Sequence, residues 1–267
     1  MKYLIPKKAL GQHFLNDKNI AGKIVSSLKL DNIGHVVEVG PGMGALTPFL
    51  LRDSRFDTRF VEVDTEAVAY LESEYPEIKD KLVAADFLRH PLPDYFDENE
   101  PIAVIGNFPY NISTQIFFKI LDHRSQVKEV VGMLQKEVAE RIAAPPGSKV
   151  YGITSVLLQA YYDIEYLFTV HEHAFNPPPK VKSGVIRLLR NNVESLPCNE
   201  VLFTRVVKTA FNQRRKMLGN SLKSILPPTR SENPMLTKRP EQLGVAEFIE
   251  LTHYVERENL AQRIVTN

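Results

Sequence analysis

Cysteine is nearly absent from this chain: Cys198 is the only one, which excludes an intrachain disulfide and any cysteine-based zinc cluster. Long apolar runs are missing too, so no segment reads as a membrane-spanning helix. The N-terminus, Met1 to Lys8, is basic but lacks an apolar stretch of the length a secretory signal needs. No internal repeat or low-complexity tract is found. With 43% hydrophobic and 24% charged residues over 267 positions, the chain can bury a real core. These features predict a soluble, cytoplasmic protein, with one large domain or a medium domain and a small one.

Acid is locally scarce as well. The net charge is +1, yet residues 1–29 carry six lysines against Asp17 alone. Residues 176–190 (Lys180, Lys182, Arg187, Arg190) and 204–223 (Arg205, Lys208, Arg214, Arg215, Lys216, Lys223) contain no acid. Segregation of this kind predicts a basic face able to meet a polyanion.

Short apolar runs begin at His35, Arg59, Lys81, Ile102 and Glu129, with room for a helix in each gap. Such alternation predicts βαβ units and a parallel sheet covered on both faces. Two later runs, Ile164–Val170 and Gly184–Arg190, read as antiparallel edge strands. Residues 191–199 read as a linker ending in an N-cap, Asn199. Beyond it only helix signals follow: Glu200 to about Met217, Ser221–Leu226, Pro240–Val245, Val245–Tyr254 and Glu256–Val265. The expected architecture is an α/β, Rossmann-like domain over 1–190 and a small all-α domain over 200–267.

Four features carry chemistry. Glu38-Val39-Gly40-Pro41-Gly42-Met43-Gly44 ends the first central strand, where glycines let the backbone turn sharply and approach a ligand. A dinucleotide fingerprint would place glycine at position 45, which is alanine here. The G-x-G-x-G variant, with an acid two residues before Gly40, suits an amino-acid-bearing nucleoside without pyrophosphate, S-adenosylmethionine. Glu62, about 20 residues beyond the glycines, is placed to accept from ribose hydroxyls. Asp86, at the end of the third strand, is placed to accept from the adenine amino group. Asp64 points to the other face by alternation and reads as the cap of the next helix. Finally, Asn107-Phe108-Pro109-Tyr110 offers an amide oxygen, a backbone carbonyl whose direction Pro109 restricts, and a ring that can stack on a base. Two acceptors on an exocyclic amine would stabilise the charge that develops there during methyl transfer.

Along nearly its whole length the chain resembles the KsgA family of ribosomal RNA adenine dimethyltransferases. The resemblance rests on Lys8-Ala9-Leu10-Gly11-Gln12-His13-Phe14-Leu15-Asn16, on Glu38 to Gly44, Glu62 and Asp86, and on Asn107 to Ser113. It continues in Phe175-Asn176-Pro177-Pro178-Pro179-Lys180-Val181-Lys182-Ser183 and in Ala210 to Leu218. It implies a class I S-adenosylmethionine-dependent methyltransferase domain that dimethylates N6 of two adjacent adenosines in the 3′-terminal hairpin of 16S rRNA. The expected setting is the immature small ribosomal subunit, with the protein acting as a monomer. By carry-over, His13, Leu15, Gly40, Gly42, Glu62, Asp86 and Asn107 contact the cofactor. Asn107, Phe108, Pro109 and Tyr110 act on the target base, and Phe175 stacks on it opposite Tyr110. Residues 1–29 form the segment that closes over the cofactor. Position 13 is His where the family often has Asn, and position 108 is Phe where Leu is common.

The remaining features are consistent with that expectation. The acid-free segment 204–223 should meet RNA phosphate, with Arg214, Arg215 and Lys216 as the candidate contacts. Arg205, Lys208, Asn212, Arg215 and Lys216 cluster on one helix face, and Leu202, Val206, Ala210 and Met217 pack on another. His171-x-His173 lacks a third ligand and reads as a polar loop pair, so no metal is expected. Cys198 lies in the linker, away from the glycine loop, which disfavours cytosine-C5 chemistry with its cysteine nucleophile. Two other readings stay open: a ribosome-assembly checkpoint factor that binds without methylating, and a 23S rRNA methyltransferase of the macrolide-resistance type.

Overall fold

Strands apolar on both faces must be covered on both, and this requirement dictates the layers. The computed structural model describes residues 4–7, 10–97 and 99–266. Met1–Tyr3, and Lys8 and Ala9 of the N-terminal motif, lie outside the described residues. In chain order the elements are β1 (Phe14–Leu15), α1 (Lys18–Val25), β2 (His35–Val39), α2 (Thr47–Arg52), β3 (Asp57–Glu62), α3 (Thr65–Glu74), β4 (Leu82–Ala84), β5 (Ile102–Asn107) and α4 (Ser113–Asp122). They continue with β6 (Val127–Gln135), α5 (Lys136–Ala143), α6 (Ile153–Gln159), β7 (Tyr162–Val170), β8 (Phe175–Asn176), β9 (Ser183–Arg190), α7 (Glu200–Asn212), α8 (Leu218–Ser221) and α9 (Val245–Thr266).

The main sheet has the order β4-β3-β2-β5-β6-β9-β7. Strands β4, β3, β2, β5 and β6 run parallel to one another, and β9 lies antiparallel to β6. From β2 the chain builds outward to β3 and β4, then returns to β5 on the opposite side. The strand order therefore reverses between β2 and β5, and the crevice at their carboxyl ends is where open α/β sheets take ligands. Val36, Val37, Val104, Ile105, Val130 and Val131 are fully buried, as continuous apolar strands require. Strand β3 starts at Asp57, earlier than the apolar pattern indicates, because Asp57 pairs with His35 in the ladder; its carboxylate is met by Arg59 and Lys81 at 2.5 Å each.

The chain divides into two compact units, 1–140 with 163–190, and 141–162 with 191–267. The sequence reading placed residues 141–162 in the first domain; here they group with the helices. Gln159 Nε2 donates to the Ile142 and Ala144 carbonyls at 3.0 and 2.9 Å, and the Tyr151 ring meets Phe211 edge-on at 6.1 Å. In this unit Asn199 caps α7 by accepting from Leu202 N at 2.9 Å. Helix α7 stops at Asn212 rather than near Met217. Two helices expected at the C-terminus form one, α9, because no residue between Tyr254 and Glu256 interrupts it and Val255 is fully buried.

Candidate active site

The crevice at the switch point holds a pocket of about 320 Å³. Gly40 and Gly42 follow β2 with φ of +68° and +58°, a left-handed backbone that favours glycine. A side chain at Gly40 would meet nothing within 4 Å, so this edge of the loop faces open space. Glu62, the last residue of β3, is buried beside it. Its Oε2 accepts from Gly42 N at 3.0 Å and its Oε1 from Asp64 N at 2.9 Å. Burial raises the Glu62 carboxyl above its ordinary value, with the Asp64 and Gly42 amides opposing the shift. Beneath the loop, Glu38 accepts from Thr47 Oγ1 at 2.8 Å, and burial pushes its carboxyl up to about 8. Asp86 follows β4, lines the same pocket and accepts from Leu88 N at 2.9 Å.

Asn107 closes β5 opposite this acid set. Its Nδ2 donates to the His13 carbonyl at 2.8 Å, so the acceptor arm of the amide, Oδ1, is the one left for a ligand. Phe108 N continues the ladder to Met133 O at 2.9 Å, while the Phe108 ring turns into the core against Phe117. That ring needs Gly132 behind it, where an added side-chain carbon would sit 2.5 Å from Phe108 Cε2. A bulkier residue at position 108 is therefore absorbed by the core, and its backbone stays on strand geometry. Tyr110 hydrogen-bonds Ser183 Oγ at 2.6 Å, its ring lies 5.4 Å from that of His13, and burial raises its hydroxyl pKa.

Residues 10–15 form the remaining wall. The position-13 substitution is explained here: the contact to Asn107 is made by the His13 backbone, and the ring Nδ1 hydrogen-bonds Pro177 O at 3.0 Å. Sequence reasoning missed the anchor of this wall. Asp64 caps α3 as expected, accepting from Glu66 N, but it also accepts from Lys7 Nζ at 2.6 Å and from Gln12 Nε2 at 3.0 Å. Although burial raises its pKa, these two donors hold the carboxyl below its usual value. The signal was available: an acid at a strand end, and a lysine-rich N-terminus needing a partner.

Thus His13, Leu15, Gly40, Gly42, Glu62, Asp86 and Asn107 to Tyr110 line one pocket. Phe175 does not line it: in β8 it pairs with Leu15 and is 4% exposed. Stacking on a base would require this ring to be uncovered. In the second unit, Arg214, Arg215 and Lys216 sit in the turn after α7, not on a helix face. Arg215 and Lys216 are exposed, whereas Arg214 donates to Ser148 O at 3.3 Å. Met217, expected in the packed face, is 53% exposed, because the helix has already ended. The basic count also overstates available charge. Arg187 is held by Ser27 O and Glu165, Arg190 by Arg124 O, and Lys7 by Asp64 and Glu66. His171 and His173 stack ring on ring at 5.6 Å, and no cluster of metal-ligating residues occurs among the described residues.

Two carboxylates at consecutive strand ends, a glycine edge on open space and an amide acceptor fit a nucleoside bearing a cationic methyl group. Comparison with known proteins agrees. Residues 5–255 match the family model described as ribosomal RNA adenine dimethylase. A protein of Cytophaga hutchinsonii named ribosomal RNA small subunit methyltransferase A is 56% identical over 95% of this chain and 98% of its own. One of the same name from Flavobacterium johnsoniae is 54% identical over 97% and 99%. Among solved structures, a dimethyladenosine transferase from Plasmodium falciparum superposes with a TM-score of 0.76, at 22% identity over 92% of this chain and 98% of that one. The 23S rRNA methyltransferase ErmE gives 0.67, at 25% identity over 91% and 99%.

Proposed function

This chain belongs to the ribosomal RNA adenine dimethylase family, and from that premise we propose that it dimethylates N6 of two adjacent adenosines in the 3′-terminal hairpin of 16S rRNA. It acts as a cytoplasmic monomer on RNA within the immature small subunit, without a metal. S-adenosylmethionine is its methyl donor, and the sulfonium of that cofactor supplies an already activated methyl group.

The chain's own residues account for the rest. Glu62 takes the ribose hydroxyls, Asp86 the adenine amino group, and Gly40 and Gly42 let the backbone lie against the ligand. The exocyclic amine of the target adenine is a poor nucleophile because its lone pair is delocalised into the ring. In the first transfer Asn107 Oδ1 and the Phe108 carbonyl accept its two hydrogens, draw the nitrogen toward tetrahedral geometry and stabilise the charge that develops there. One proton then leaves to solvent, and in the second transfer the acceptors act on the single hydrogen that remains until it too is released. Pro109 restricts that carbonyl, and the Tyr110 ring provides the stacking face.

The observation that carries this reading is the Asn107 amide, turned by the His13 carbonyl so that its acceptor is presented beside two buried or half-buried acids. A purely binding checkpoint factor would have no use for that arrangement. The 23S reading is less favoured, because identity is 54–56% to the small-subunit methyltransferases and 25% to ErmE. The test is Asn107→Ala: kcat should fall by roughly a hundredfold or more while binding to small subunits persists. Near-normal turnover at saturating substrates would refute the assignment.

A further inference from the structure

We infer that Lys119 is a positioning residue for the cofactor's adenine ring, holding the loop after β4 so that Asp86 faces the 6-amino group. The inference rests on the reading of Asp86 given above. Lys119 lies on α4, the helix that follows Asn107 to Tyr110. Its ammonium donates to the carbonyls of Phe87 and His90 and sits 4.9 Å from the centroid of the Phe87 ring, which lines the pocket.

The loop cannot satisfy those carbonyls itself. Its amides turn onto Asp86: Leu88 N donates to the side chain at 2.9 Å, and Arg89 N and His90 N donate to the backbone carbonyl at 3.0 and 2.9 Å. Two carbonyls are left facing α4, and one lysine takes both. Placing an ammonium there is costly: burial lowers the Lys119 pKa, opposed by the charge of Asp86. A cation kept at a cost bridges the helix after the catalytic loop and the loop of the adenine acceptor. It so fixes the turn from which Leu88 N, at 2.9 Å, and the exposed Arg89 side chain, at 3.5 Å, direct the Asp86 carboxylate. A bridge of this kind acts on the adenine end of the ligand, chiefly through Asp86 on the exocyclic nitrogen, and not on the ribose or the methionine.

Calorimetric titration separates this role from packing. The probes are S-adenosylhomocysteine and its hypoxanthine analogue, in which a carbonyl replaces the 6-amino group. Lys119→Met should lose about tenfold in affinity for the first probe, as loss of charge-assisted hydrogen bonding implies. Affinity for the analogue should stay nearly unchanged, so the preference between the two shrinks. Lys119→Arg should restore the preference, and Lys119→Gln, whose amide is neutral and shorter, should fall between them and replaces Lys119→Met if that variant does not fold. Equal weakening of both probes would overturn the inference and leave Lys119 a packing residue. Asp86→Asn is the control for the underlying reading, since its amide serves a carbonyl as well as an amine. If Asp86→Asn keeps the full preference, Asp86 does not read the amino group and the inference falls with it.

Discussion

Glu38 shows what one residue contributes beneath the glycine loop. Fully buried, with Thr47 as its hydrogen-bond donor, it has a folded-state pKa of about 8, against an ordinary value near 4.3. Between those values the unfolded chain releases this proton while the native protein keeps it. Stability from Glu38 is therefore fully present below about pH 4.3 and declines as pH rises toward 8. Glu38→Gln keeps the shape and cannot ionise. Its melting temperature should exceed the wild-type value at pH 8 by more than at pH 5, and a difference independent of pH would show that Glu38 is not held neutral. Phe108 is explained at the same scale: Gly106 and Gly132 make room for its ring, so an aromatic residue is accepted without moving Asn107.

At the scale of elements, the segment running into β1 is fastened by Asp64 through Lys7 and Gln12, in addition to the contacts that His13 makes with Asn107 and Pro177. Asp64→Ala removes the α3 cap and the fastening together, at roughly 1 kcal/mol for the cap, whereas Asp64→Asn retains a capping oxygen. Amide exchange at Gln12 and His13 should quicken in both variants, more in alanine, and affinity for S-adenosylhomocysteine should fall in the same order. Exchange unchanged in Asp64→Ala would mean that other contacts hold the segment. The central strands were legible because each carries a short apolar run, and Glu62, Asp86 and Asn107 stood out as polar residues at or just beyond their ends. The end of α7 was not legible, since Gln213 to Met217 contain neither proline nor glycine and the turn is held by Arg214 reaching Ser148. Likewise nothing local announces that Phe175 pairs with Leu15, or that Lys119 serves a loop from another strand, because both depend on residues far away in the chain.

For the whole molecule, the site lies in the first unit and the acid-free segment 204–223 in the second. The pocket at the switch point is lined by residues of the first unit alone, while Arg215 and Lys216 are exposed in the second. Neutralising both should lower affinity for small subunits and flatten the slope of log affinity against log salt by roughly one to two units. Affinity for S-adenosylhomocysteine should not change. An unaltered slope would move the phosphate contacts to residues 1–29 or 176–190. The central claim, however, concerns which atom receives the methyl group. Small subunits lacking these methylations, large subunits and duplex DNA should each be incubated with the protein and labelled S-adenosylmethionine, then digested to nucleosides and analysed by mass spectrometry. The label should appear as N6,N6-dimethyladenosine at two adjacent positions near the 3′ end of 16S rRNA, and nowhere in the other two substrates. Label in 23S rRNA or DNA, on cytosine, or in none of the three would contradict the account.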